Sequence, residues 1–179
     1  MTTNRCQNLL GAFALAVADR IRDETEAAVG HTGAAASALV TIAHYPGRNV
    51  EFLRQAIGLS HPAAVRAVDR LVEKRLVRRG RGDHGPAVSL TTTTSGHRQA
   101  LAILDVRRTV LADALPRLSR AESQTLEAIL DKALMRMSDS PGSTVCRLCD
   151  HGRCPRRDCP IVVRQTQLGA PPPEPVALG

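Results

Sequence analysis

Between Lys74 and Thr93 the hydrophobic period of this chain drops from three-to-four to two. RLVRRG, from Arg75, reads as a short strand, and RGDHGP reads as a charged turn rich in Gly and Pro. AVSLTTT follows as a β-branched strand in which Val88, Leu90 and Thr92 alternate. Together they make a two-stranded ribbon, and everything around it has helical spacing. Upstream, Leu10, Phe13, Val17 and Ile21 mark a helix over Asn4–Ala28 that Gly30 stops. TGAAASALVTIAHYPG reads as a second helix ended by Pro46-Gly47, and Asn49 caps a third over Val50–Ala56. After the turn Gly58-Leu59-Ser60, Ser60 is the N-cap and Pro62 lies in the first turn of a fourth helix reaching about Lys74.

Downstream the helical period returns. Thr93 or Thr94 caps a long helix through Leu115, with Leu101, Leu104, Val110 or Leu111, and Leu115 on or near one face. Ser119 and Glu122 form the capping box of a last helix through Met137. The expected fold class is therefore mostly α: a winged helix-turn-helix with a two-stranded β-wing between N- and C-terminal helices.

The charge sits on the same segment as the period break. Between Arg54 and Arg98 stand nine Lys or Arg against Asp69, Glu73 and Asp83, a local excess of +6 out of +7 for the whole chain. A solvated face normally mixes signs, so this asymmetry suggests a polyanionic partner. The only aromatics are Phe13, Tyr45 and Phe52, which argues against modules that stack single-stranded bases. A helix entering the major groove presents its N-terminal residues to base edges. With Val68, Leu71 and Val72 burying one face and Ala63 and Ala67 allowing close packing, Ser60, His61, Val65, Arg66, Asp69 and Arg70 remain on the other. Ser60 and the helix N-terminus suit a phosphate, Arg66 and Arg70 a guanine or a phosphate, and Val65 a thymine methyl. Arg78, Arg79 and Arg81 lie on the wing, beside the backbone or the minor groove.

LSHPAAVRAVDRLVEKRLVRR followed by GPAVSLTTTTSGHRQ resembles the MarR family of bacterial transcriptional regulators. Leu59, Ser60, Pro62, Arg66, Val68, Asp69, Arg70 and Leu71 all match the family pattern. Val65 stands where the family usually has serine, Arg75 where a glycine usually ends the recognition helix, and Pro86 where the wing tip usually carries arginine. Asp83 matches the wing-tip acid, and Arg81 is the substitute for the arginine. The resemblance implies a homodimer interlocked through its first and last two helices. It also implies sequence-specific binding to pseudo-palindromic double-stranded DNA, and repression relieved by a small molecule, a metal or thiol oxidation.

Four of the five cysteines, Cys146, Cys149, Cys154 and Cys159, fall in fourteen residues with spacing C-x2-C-x4-C-x4-C. A C-x2-C turn lets two sulfurs reach one ion, so a four-cysteine zinc site is expected, with Arg147, Arg153, Arg156 and Arg157 offsetting its charge. Redox-active thiols, an iron–sulfur cluster and unliganded thiols are the alternatives. His151 reads as a solvated turn residue. Thiol-sensing members of the family use a cysteine near the position of Cys6 with tyrosines beside it. This chain has only Tyr45, and Cys6 reads as a spectator.

These readings divide the chain into an N-terminal dimerisation helix (1–30), a winged helix-turn-helix (31–92), C-terminal dimerisation helices (93–138), the four-cysteine segment (139–165) and a low-complexity tail (166–179) expected to be disordered. Two other functions compete. One is a thiol oxidoreductase working through Cys146 and Cys149, but that C-x-x-C opens no βαβ unit. The other is a zinc-binding RNA- or ribosome-associated protein, disfavoured by the missing aromatics. A non-enzymatic protein is expected, since no Gly-rich phosphate loop, H-E-x-x-H or G-x-S-x-G appears, and a cytoplasmic one, since no stretch approaches the roughly 18–20 apolar residues of a membrane span.

Overall fold

The computed structural model describes residues 3–31, 33–82, 85–115, 117–138 and 144–178. In order these form α1 (Asn4–Val29), α2 (Gly33–His44), α3 (Val50–Ile57), α4 (His61–Glu73), β1 (Val77–Gly82), β2 (Gly85–Thr92), α5 (Thr94–Ala114), α6 (Arg120–Met137) and α7 (Pro160–Gln167). Short 3-10 turns occupy Thr144–Cys146 and Arg156–Asp158. The strands pair antiparallel, Val77 opposite Thr92 and Arg79 opposite Leu90. The fold is thus mostly helical with one hairpin as its wing, as the period break implies.

Helix starts lie where the sequence supplies oxygen acceptors. Asn49 accepts from the Phe52 amide (2.9 Å), Ser60 from Ala63 (3.4 Å) and Thr93 from Gly96 (3.0 Å). The Ser119–Glu122 capping box is closed in both directions. Each such cap satisfies an orphan amide and is worth about 1 kcal/mol.

α4 ends in a Schellman motif. The Leu76 amide donates to the Leu71 carbonyl (2.8 Å), the Arg75 amide donates to that of Val72 (2.9 Å), and Arg75 sits at φ 57°. The turn is therefore built as a glycine would build it, although a side chain is present.

The core is aliphatic. Leu39, Val40, Leu53, Val68, Leu71, Val77, Leu90 and Ile103 are all essentially inaccessible. α2 runs through the middle, buried continuously from Ala35 to His44, because its Ala-rich sequence lets α3, α4 and α5 approach from several sides. Removing a buried leucine such as Leu71 should cost about 2–5 kcal/mol.

Two stripes differ from expectation. On α4 the fully buried alanines are Ala64 and Ala67, with Ala63 only half-buried, because positions 64, 67, 68 and 71 share one face. On α5 the buried positions are Ala100, Ile103, Leu104 and Val110, whereas Leu101 and Leu115 stay outside.

α1 and α6 contribute almost nothing to this core. α1 buries only Thr25, and no α6 residue is buried. Leu9, Leu10, Phe13, Leu15, Ile129, Leu130 and Met137 are all at least 41% exposed.

The last residues are not the free tail expected. Ile161 and Gln165 of α7 are buried, and Gln165 Nε2 donates to the Ser138 carbonyl at the end of α6 (2.9 Å). Beyond it the chain returns across the winged helix. The Val176 amide donates to the His44 carbonyl (2.7 Å), His44 Nδ1 lies 2.9 Å from the Val176 carbonyl, and His97 Nε2 lies 3.1 Å from that of Leu178. Leu178 joins the hydrophobic core. Proline-rich composition suggested disorder. An extended strap with imidazole partners and one buried leucine instead finds its satisfaction on the protein surface.

Candidate nucleic-acid interface

The buried face of α4 points Ala64, Ala67, Val68 and Leu71 at the core, which leaves its opposite face outward. Ser60, His61, Arg66 and Arg70 lie outside the core there, with Val65 and Asp69 beside them. Arg78, Arg79 and Arg81 are exposed on β1. One ion pair ties helix to wing: Arg79 Nη2 to Asp69 Oδ1 at 2.6 Å. Among the described residues Arg66, Arg70, Arg78 and Arg81 have no carboxylate partner. His61 Nδ1 lies 4.0 Å from Glu51 Oε2 of α3. The Arg79–Asp69 pair links this face of α4 to the wing, while Arg78, one position away on β1, faces the opposite side of the hairpin from Arg79 and Arg81. Asp83 at the wing tip and the side chain of Pro86 lie outside the described residues.

Backbone pairing adds a detail that no period could reveal. The Gly47 amide donates to the Leu90 carbonyl (2.8 Å), and the Leu90 amide donates to that of Arg48 (2.9 Å). Two residues of the α2–α3 turn thereby bind the free edge of β2 and fix the hairpin against the helices. Two residues are too short a stretch to show alternation.

The four C-terminal cysteines are all free thiols. Cys146 and Cys149 form a hydrogen-bonded pair in which Cys146 donates. That bond pulls Cys149 down to about 6 against the opposing effect of burial, with Arg107 and Arg147 assisting, and pushes Cys146 up. Burial also raises Cys154. Cys6 is exposed, at the start of α1. Four thiols suit a soft divalent metal in kind. Among the described residues, however, no group of three or more His, Cys, Asp or Glu side chains is arranged to hold an ion.

His151 is not a solvated turn residue. Its ring packs edge-on against His44 with centroids 4.5 Å apart and lies 5.9 Å from Tyr45. Burial and the neighbouring His44 lower it to about 4. Desolvation likewise lowers His44, while Tyr45 is pushed up to about 12 by burial. In sequence these three look ordinary, because the contact joins positions more than a hundred apart.

A capped helix lying on a core, a cationic hairpin behind it and a short backbone segment on the hairpin edge define a winged helix-turn-helix. Residues 29–85, about a third of the chain, match the model of the MarR family. No curated protein sequence matches the chain significantly.

Solved structures share the fold. FabT of Streptococcus pneumoniae, in complex with DNA, has 12% identity and TM-score 0.68, covering 75% of this chain and 96% of its own. MepR of S. aureus, also in complex with DNA, has 18% identity and TM-score 0.58 with the same coverage. A MarR-family transcriptional regulator from Silicibacter pomeroyi has 22% identity and TM-score 0.57, covering 72% and 87%. Among the described residues no helix is long and apolar enough to cross a membrane.

Proposed function

We propose that this protein is a homodimeric transcriptional regulator that binds a pseudo-palindromic DNA site and represses by occupying it. The observation that carries this reading is the uncompensated positive charge on α4 and β1. Arg66, Arg70, Arg78 and Arg81 are held in the open, without carboxylate partners among the described residues, beside a helix N-terminus that itself attracts phosphate. The DNA-bound FabT and MepR structures have the same fold and support the assignment. A dimer accounts for α1 and α6, whose apolar side chains find no core in their own protomer. A stable interface of this kind needs roughly 1,000 Å² or more of buried surface.

The test is a gel shift on the promoter of the protein's own gene. Each base-reading arginine supplies about 1–3 kcal/mol, so Arg66→Ala/Arg70→Ala should weaken specific binding by at least about 30-fold. Wild-type protein showing no preference for promoter over random duplex would overturn the proposal.

The cysteine segment acts in this reading as a sensing appendage. A hydrogen-bonded thiol pair in which Cys146 donates and so lowers Cys149 is suited to oxidation. A peroxide-class oxidant takes two electrons and two protons, leaving water and a Cys146–Cys149 disulfide. The 3-10 turn holding Cys146 packs on α3, so this change reaches the winged helix. Elemental analysis of protein purified without chelator separates this from zinc binding. Metal-free protein with titratable thiols supports the redox reading, and one zinc per subunit replaces it.

A further inference from the structure

Residues 170–178 run as an extended strap across the winged helix, and their fastenings fall at particular places. The Val176 amide donates to the His44 carbonyl (2.7 Å), and His44 Nδ1 donates to the Val176 carbonyl (2.9 Å). His44 is the last residue of α2, so its carbonyl is one of those a helix end leaves without an internal partner. His97 Nε2, in the first turn of α5, donates to the Leu178 carbonyl (3.1 Å), and the Leu178 side chain enters the core. Further back along the strap, Arg156 donates to the carbonyls of Pro172 and Pro173.

Both fastenings on the winged helix adjoin the supports of the wing. Three residues after His44, the Gly47 amide donates to the Leu90 carbonyl, and the Leu90 amide donates to that of Arg48. The segment that leaves the strap at His44 is therefore the one that pins the free edge of β2. At the other end of β2 the Thr93 amide donates to the Leu76 carbonyl, and Gly96, next to His97, lies against the same carbonyl. Leu76 directly precedes β1. The strap thus touches the two places where the hairpin joins the helices.

This strap is also lightly held. Val176 is 51% exposed, and Leu178 is the only buried side chain from residue 170 to residue 178. Pro171, Pro172, Pro173 and Pro175 donate no amide hydrogen bond and keep the backbone extended beforehand, so docking costs little conformational entropy and release breaks few bonds. Segments held by few contacts are the first to open. Arg156 lies between Cys154 and Cys159, and the His151 ring of the same segment packs on His44. The cysteine segment therefore grips the strap at one end and its landing site at the other.

We infer that the strap is a releasable brace for the wing. Docked on His44 and His97, it holds the hairpin against α2 and α5, and the cysteine segment controls that docking through Arg156. Its consequence for DNA binding rests on the regulator reading above, whereas the brace itself is tested without DNA.

The test is amide hydrogen exchange, followed by NMR, on the full-length protein. The Leu90 amide reports the support of the wing, and the Val68 and Leu71 amides of α4 report opening of the whole domain. In Leu178→Gln the Leu90 amide is expected to exchange at least about tenfold faster than in wild type, beyond any change at Val68 and Leu71. Arg156→Gln leaves the core and the bonds to His44 and His97 in place, and it should accelerate Leu90 in the same direction by a smaller factor. Val176→Ala, which trims an exposed side chain and keeps both backbone bonds, should leave all three rates unchanged. If Leu178→Gln does not fold, Arg156→Gln carries the test. Equal acceleration of Leu90, Val68 and Leu71 would show that the strap only adds global stability, and would overturn the proposal. An unchanged Leu90 rate in Arg156→Gln would overturn the coupling to the cysteine segment. Failure to select a DNA site would leave these rates as they are, so the two readings fail separately.

Discussion

Gly96 stands in the first turn of α5, where a methyl group would have no room. A Cβ there would lie 1.9 Å from the carbonyl oxygen of Leu76 and 2.8 Å from its carbonyl carbon. Carbon–oxygen contacts close no further than about 3.3 Å, so Gly96→Ala forces α5 and the Leu76 backbone apart by more than about 1 Å. Neither side can yield cheaply. The Leu76 carbonyl accepts the Thr93 amide at 2.9 Å, the Leu76 amide closes the α4 turn at 2.8 Å, and the Leu76 side chain is buried. Overpacking of this kind costs about 1–3 kcal/mol, and a lost hydrogen bond adds about 1. The helix preference for alanine returns at most about 1 kcal/mol.

The expected net loss of about 2–3 kcal/mol lowers Tm by about 5–10 °C in a chain of this size. Because β1 begins at Val77, the same displacement re-aims Arg78 and Arg79 relative to α4, and DNA affinity should fall with stability. Differential scanning calorimetry of the variant beside Gly11→Ala, a helical glycine with nothing within 4 Å, gives the comparison. A Gly96→Ala protein that melts at or above the wild-type temperature would show that the close approach of α5 to Leu76 does not constrain the fold.

Arg75→Gly relieves a left-handed side-chain-bearing residue and should stabilise by about 1 kcal/mol, read as a Tm rise of about 2–4 °C; an unchanged Tm would mean the turn carries no strain. Deleting residues 170–179 removes Leu178 from the core and the carbonyl partners of His44 and His97, so the urea midpoint should fall; a midpoint equal to wild type would show the strap to be undocked. His31, His44 and His151 are all held neutral by burial, with folded pKa values below the unfolded 6.5. The unfolded chain therefore binds more protons in acid, and stability is complete above about pH 6.5 and lost as pH falls toward 4, where His151 titrates. Urea midpoints that stay flat between pH 7.5 and pH 5 would speak against this.

The winged helix was legible because its signals are local. Ser60, Thr93 and Ser119 cap the helices that follow them, and Val88 and Leu90 alternate on one strand. The outward set from Ser60 to Arg70 follows from helix period alone once Val68 and Leu71 are buried. Local pattern failed where contacts join distant residues. Nothing near His151 announces His44, and nothing in APPPEPVAL announces the His44 and His97 imidazoles that tie it down. The apolar stripe on α1 exists, yet Leu10 and Phe13 are exposed, because period locates an apolar face without saying which chain covers it.

Everything proposed for α4 and the wing turns on sequence-specific recognition of DNA by a symmetric pair of helices. The decisive measurement is selection from a random duplex library by the purified protein, with the enriched site measured at 50 and 200 mM salt. An inverted repeat is expected, with half-sites about one helical turn apart and bound by one dimer. Affinity should fall steeply between the two salts, because phosphate contacts release counterions. Arg66→Ala/Arg70→Ala should lose the preference while keeping weak salt-sensitive binding. A library that shows no enrichment, or a site without two-fold symmetry, would rule out recognition by such a pair.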